Sequence, residues 1–157
     1  MDWPLVILVG PTGVGKTALA VRLAETLGAE IVSADSRQVY RYLDIGTAKP
    51  TLEERRRAPH HLLDVVDPGQ TLTLAEYQEM AYAAIDDIRK RGCLPLLVGG
   101  TGLYITAVAE GWRMPRVAPD EDLRQELLQR ANREGAEVLH AELARVDPGA
   151  AGRIDAR

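Results

Sequence analysis

Apolar positions along the first hundred residues follow two periods in turn. Leu5–Val9 is an unbroken apolar run, as a strand covered on both faces requires. From Thr17 to Leu27, Leu19, Leu23 and Leu27 recur at every fourth position with Ala20 and Ala24 beside them. That is one apolar stripe of a helix, and Gly28 supplies its stop. Glu30–Ser33 gives a short second strand ending at Ala34-Asp35, and Leu62–Val66 predicts a third, closed by Asp67-Pro68-Gly69. Thr73-Leu-Ala-Glu76 is a capping box. It opens a long helix with Tyr77, Ala81, Ala84, Ile85 and Ile88 on one face; Arg89, Lys90 and Arg91 sit at its negative dipole end before Gly92. Leu94–Val98 predicts a fourth strand, from which Gly99-Gly100-Thr101-Gly102 turns into a short helix through Ala109. Residues 36–61 lack clean periodicity, and so long a loop in a compact domain is usually functional.

After Gly111 the pattern changes. Helical stripes run over about 119–133 (Leu123, Leu127, Leu128, Ala131) and 135–145 (Val138, Leu139, Leu143), and Asp147-Pro148-Gly149 breaks the second. The alternation of strands and helices predicts a parallel, doubly wound α/β sheet over residues 1–111, followed by the start of a helical insertion over 112–157. In such a sheet ligands sit at the carboxyl ends of the strands. Three loops are expected to meet there: 10–16, 34–38 and 99–102.

Composition narrows the setting. The apolar stretches are too short to span a bilayer, and the first residues lack the basic start of a secretory signal. Cys93 is the single cysteine, so no intrachain disulfide forms and a reducing, cytoplasmic compartment is expected; the residue reads as a small hydrophobe beside a strand. The formal net charge of −4 argues against a generally basic nucleic-acid-binding surface. Arg55-Arg56-Arg57 with His60-His61 is the densest basic patch, read first as solvated surface and second as a nucleic-acid contact.

The candidate chemistry begins at Gly10-Pro11-Thr12-Gly13-Val14-Gly15-Lys16-Thr17, which fits the phosphate-loop pattern at every fixed position, between a strand and a helix. Its glycines let backbone N–H groups wrap an anion, the helix N-terminus adds a positive dipole end, Lys16 adds a charge, and Thr17 offers a hydroxyl to Mg²⁺. A nucleotide-hydrolysing P-loop protein places an acid at the end of an apolar strand to help hold the metal. Here the fourth strand ends in Gly99-Gly100, and Asp64 and Asp67 lie inside or just past the third. The well-placed acid is Asp35, at the mouth of the second strand. An acid there can orient or deprotonate an acceptor, which favours group transfer over hydrolysis. Thr101 reads equally as a ligand contact and as a helix N-cap.

Five segments occur in order: the phosphate loop, Asp35-Ser36-Arg37-Gln38-Val39-Tyr40, Gly46-Thr-Ala-Lys-Pro50, Pro59-His-His-Leu-Leu-Asp64 and Gly99-Gly-Thr-Gly-Leu-Tyr104. Together they closely resemble the bacterial tRNA dimethylallyltransferase family, over about residues 5–111. The resemblance implies a P-loop NTPase-like fold put to prenyl transfer. The diphosphate of dimethylallyl diphosphate would lie on residues 10–17, and the exocyclic amine of an adenosine in the tRNA anticodon loop would attack the allylic carbon. It implies catalytic roles for Asp35 (the base), Lys16 and Thr101, tRNA contacts from Asp35, Ser36, Arg37, Gln38 and Thr101, and Mg²⁺ on Thr17. Members of the family are longer, so the resemblance also implies a truncated chain; a monomer with no membrane association is expected. The alternatives are a small-molecule kinase using Mg·ATP, an isopentenyltransferase acting on free adenine nucleotides, and a non-catalytic nucleotide-sensing or RNA-binding module.

Overall fold

A computed structural model describes residues 3–114 and 120–156. These fall into two compact units, divided between Met114 and Pro115.

In the first unit the strands are β1 (Val6–Val9), β2 (Ala29–Ala34), β3 (His60–His61) and β4 (Leu94–Gly99). All pair in parallel in the order β1-β4-β2-β3. Helix α1 (Lys16–Leu27) covers one face: Ala20, Val21 and Ala24 pack on Ile31, Leu94, Leu96 and Val98. Helices α3 (Leu74–Lys90) and α4 (Gly102–Glu110) cover the other, where Tyr77, Ala81, Ile85, Ile88, Tyr104 and Val108 meet Val32, Ala34 and Leu97. Successive strand residues thus serve opposite faces, the two-residue period of a sheet covered on both sides. Tyr77 and Tyr104 stack with ring centroids 3.7 Å apart, and the Tyr77 hydroxyl donates to the Ser33 carbonyl at 3.0 Å. This pins α3 and α4 to each other and to β2 directly below the site.

Two expectations for the middle of the chain need correcting. Leu62–Val66 is not a strand: Leu62 and Asp64 take left-handed backbone conformations, φ 62° and 58°, which no ladder accommodates. The strand beside β2 is His60–His61, and Val66 makes only an isolated bridge with Tyr40. Residues 36–61 also contain a helix, α2 (Leu52–Arg57), opened by a Thr51/Glu54 capping box. Its arginines largely serve the fold: Arg57 pairs with Glu25 at 2.8 Å and Arg55 with Asp64 at 2.8 Å, while Arg56 is exposed. Cys93 is half-buried against the α3 core, as its reading as a hydrophobe requires.

Glu30 is a buried carboxylate at the base of the sheet. Arg91 lies 2.7 Å from it and His61 2.6 Å. Burial opposes its charge, but hydrogen bonds from Arg91 and then His61 outweigh that and hold its pKa below the ordinary 4.5. A carboxylate lowered on folding contributes fully above its unfolded pKa and loses that contribution as pH falls through the folded one. Resistance to urea is therefore expected to decline as pH drops below about 4.5, and Glu30→Gln to flatten part of that decline. An identical pH slope in the variant would contradict this role.

The second unit comprises α5 (Glu121–Glu134), α6 (Ala136–Val146) and α7 (Pro148–Ala151). The first two match the helical stripes in the sequence, except that residue 119 lies outside the described residues. Asp120 caps α5 through the Leu123 N–H, and Arg130 ties it to α6 through Glu142 at 2.7 Å. Among the described residues no helix is long and apolar enough to cross a membrane.

Candidate active site

Strand register builds the site. Val9 pairs with Gly99, and Gly99 with Ala34, so β1, β4 and β2 end level with one another. The three loops that leave these ends, 10–15, 100–101 and 35–38, therefore emerge side by side. The level ending depends on Gly99 lacking a side chain, because a Cβ there would lie 2.0 Å from the Ala34 carbonyl oxygen.

The phosphate loop turns through Gly13 and Gly15 at φ 84° and 85°, a region open to glycine at little cost. Helices α2 and α3 begin with capping boxes, whereas α1 begins at Gly15 with no side-chain cap and no acid in its first turn. Its first N–H groups and positive dipole end thus remain available to an anion. The Lys16 ammonium donates to the Pro11 carbonyl at 2.8 Å, which holds it over the loop.

Asp35 follows β2. Its Oδ1 accepts from the backbone N–H groups of Arg37 at 2.9 Å and Gln38 at 3.3 Å. It is thus the turn residue its neighbours suggest, with one oxygen fixed and the carboxylate lining the phosphate-loop cavity. Thr101 occupies the N-cap position of α4, but its side chain does not cap the helix. Instead its Oγ1 accepts from the Ser36 N–H at 2.9 Å and lies 3.3 Å from the Ser36 hydroxyl. Thr101 therefore locks the Asp35 loop to the Gly99-Gly100 turn. Gln38 faces inward: its Oε1 accepts from Ser33, and its amide donates to the carbonyls of Thr47 and Ala48. Arg37 is exposed.

These elements enclose a cavity of about 270 Å³ whose lining includes Gly13, Gly15, Lys16, Thr17, Asp35 and Gln38. Thr47 and Ala48, from the Gly46–Pro50 segment, and Glu54 also line it, though none of the three was expected there as a site residue. The signal for Glu54 is the Thr51-x-x-Glu54 cap, the same pattern that announces α3. Below, His60 is pushed toward its neutral form by burial, aided by the Arg55 charge and opposed by its bond to the Ala58 carbonyl. Among the described residues no cluster of three or more His, Cys, Asp or Glu side chains is gathered for a metal. The cavity offers a cation the Thr17 hydroxyl as its protein oxygen. That donor set fits Mg²⁺, a hard ion usually held by one or two protein oxygens, waters and the phosphates of its ligand.

A larger depression of about 680 Å³ lies along residues 41–55. Its charged groups are already committed to one another. Buried Lys49 bonds Asp44 at 2.9 Å and Asp64 at 2.6 Å, and Asp64 also receives Arg55. Burial opposes the Asp64 charge, but Lys49 and Arg55 prevail and lower its pKa. Asp67 is likewise held by Arg41 at 2.8 Å. Both acids near the end of the expected third strand are therefore structural. Of the two acids that line the phosphate-loop cavity, Glu54 is engaged in its own helix cap, which leaves Asp35 as the candidate acid.

Fold and loop together define a P-loop α/β protein with an acid-bearing loop facing its phosphate loop. The chain belongs to the IPP transferase family, whose model matches residues 38–157. It is 62% identical over 151 residues to a tRNA dimethylallyltransferase of Roseiflexus castenholzii, covering 96% of this chain and 49% of that protein. With the tRNA dimethylallyltransferase of Chloroflexus aurantiacus the identity is 63% over 150 residues, 96% of this chain and 51% of that one. Among solved structures, the full-length tRNA isopentenylpyrophosphate transferase of Bacillus halodurans superposes with a TM-score of 0.71 at 47% identity, covering 99% of this chain and 51% of the other. A eukaryotic dimethylallyltransferase acting on tRNA gives a TM-score of 0.76 at 29% identity, covering 99% and 38%. The chain spans about half the length of the curated relatives it matches.

Proposed function

We propose that the protein carrying this chain transfers a dimethylallyl group from dimethylallyl diphosphate to the exocyclic amine of an adenosine beside the anticodon of a tRNA. The observation that carries the reading is the level ending of β1, β4 and β2, which sets Asp35 and the phosphate loop around one cavity. Family membership supports the choice of prenyl transfer over phosphoryl transfer.

In this reading the diphosphate lies on residues 10–17. As the carbon–oxygen bond breaks, its electron pair leaves with diphosphate, and the N–H groups from Gly13 to Thr17 with the Lys16 ammonium stabilise that charge. The amine nitrogen forms the new bond to carbon, and its proton passes to Asp35. The backbone bonds to Oδ1 orient the carboxylate, so the other oxygen is left for the proton. Mg²⁺, when bound, neutralises diphosphate charge; Thr17 is the residue to hold it. The target base leaves its stack to enter so narrow a site. Ser36, exposed Arg37 and Thr101 do not line the cavity; in this reading they meet the tRNA on the loops that flank it, while Gln38 lines it and holds the 47–48 loop.

Lys16→Ala is expected to weaken binding of dimethylallyl diphosphate about ten- to a hundredfold, the worth of a hydrogen bond from a charged donor. Calorimetric titration measures this directly. Unchanged affinity would remove the loop from the diphosphate site.

A further inference from the structure

Tyr104 holds a spare hydroxyl beneath the site. Its side chain belongs to the core, with the residue only 7% exposed, and its ring stacks on Tyr77 with centroids 3.7 Å apart. A phenylalanine ring would make the same contact, so packing does not account for the oxygen. The Tyr77 hydroxyl is satisfied by the Ser33 carbonyl. The Tyr104 hydroxyl has no hydrogen-bond partner among the described residues, and it is not sealed from solvent. Phenols in protein interiors normally find a partner, so an oxygen left open at the edge of the core calls for one.

The fold places that oxygen against the Asp35 turn. Thr101, about one helical turn ahead of Tyr104, holds Ser36 and donates its N–H to the Ala34 carbonyl. Ala34 shares the core cluster of Tyr104, and Tyr77 is bonded to the residue two before Asp35. Burial first, then Tyr40 and the Asp35 carboxylate, push the Tyr104 pKa above the ordinary 10, so the phenol keeps its proton and remains a donor at neutral pH. Asp35 has a spare group of its own. Its Oδ1 accepts from Arg37 and Gln38, while its Oδ2 has no partner among the described residues. An unpartnered donor and an unpartnered acceptor thus meet at one turn. We propose that Tyr104 is a positioning residue for the transfer: its hydroxyl donates to Asp35 Oδ2, directly or across one water, and aims the carboxylate at the acceptor amine. The proposal rests on Asp35 being the base, as in the function proposed above. A carboxylate oxygen offers two lone-pair sites, so one can take the hydrogen bond of the phenol and the other the amine proton. Holding both oxygens fixes the plane of the carboxylate, and such alignment of reacting groups is worth rate.

The test is a double-variant cycle on the full-length protein carrying this chain, read as the single-turnover rate of tRNA prenylation at saturating dimethylallyl diphosphate and Mg²⁺. Tyr104→Phe keeps the ring and removes the hydroxyl. It is expected to slow the wild-type reaction about tenfold, the worth of one hydrogen bond to a charged group. The urea midpoint and the affinity for dimethylallyl diphosphate should not move. In an Asp35→Asn background the same change should cost less than about twofold further, because there is no base left to aim. An unchanged rate in Tyr104→Phe overturns the proposal. So does a tenfold loss that recurs in full on Asp35→Asn, or one accompanied by a lowered urea midpoint, since either gives Tyr104 a role in the fold alone. If Asp35→Asn itself keeps the wild-type rate, the base assignment fails and the positioning role with it. If the wild type forms no prenylated tRNA, the proposed function fails, and this role falls with it.

Discussion

Asp35→Asn is expected to lower turnover of the full-length enzyme by about 10²–10⁴-fold, the usual worth of a general base. The substitution is nearly isosteric. The amide oxygen can still accept from the Arg37 and Gln38 N–H groups that the carboxylate now holds at 2.9 and 3.3 Å, so the loop keeps its turn. What disappears is the capacity to take a proton. Affinity for dimethylallyl diphosphate should change little, because the phosphate loop supplies the anion contacts. A selective loss of kcat thus separates a base from a mere turn residue. Single-turnover measurement of prenylated tRNA checks it, and near-normal turnover would leave Asp35 with only its turn.

Gly99→Ala is expected to be the most damaging small substitution in the sheet. The added Cβ would lie 2.0 Å from the Ala34 oxygen, 2.4 Å from its carbonyl carbon and 2.8 Å from its Cα. All three are backbone atoms of the neighbouring strand, so no rotamer change relieves the clash and β2 must part from β4 at its carboxyl end. That end carries the Thr101 N–H bond to the Ala34 carbonyl and the Thr101–Ser36 lock. Overpacking usually costs about 1–3 kcal/mol, and a clash with fixed backbone exceeds that range, so a loss of about 3 kcal/mol or more is expected. Gly100→Ala is the control. Its Cβ would come no closer than 3.4 Å to any neighbour, and stability should be nearly retained. Denaturant melts of the two variants compare them, and equal midpoints would contradict the packing argument.

Legibility in the sequence follows physical cause. The phosphate loop, β1, β2, β4, α1 and α3 were readable because periodicity and turn chemistry agree there with tertiary packing. The third strand was not. Leu62–Val66 has the composition of a buried strand, but left-handed turns at Leu62 and Asp64 serve the Lys49 and Arg55 network instead. The pairing strand, His60–His61, is polar because β2 offers it Glu30 as a partner. Helix α2 is too short to display an apolar stripe, and its cap was the only local signal. In the site, Asp35 could be placed from topology alone. The inward turn of Gln38 and the attachment of Thr101 to Ser36 are long-range pairings, which no local pattern encodes.

The most direct test of the central claim is to incubate the full-length protein with unmodified tRNA and either labelled dimethylallyl diphosphate or labelled ATP, each with Mg²⁺, and to analyse the nucleosides. The account predicts a dimethylallyl group on the exocyclic nitrogen of the adenosine beside the anticodon, with one diphosphate released for each group transferred. Phosphate transfer from ATP, with no prenylated nucleoside formed, would contradict it.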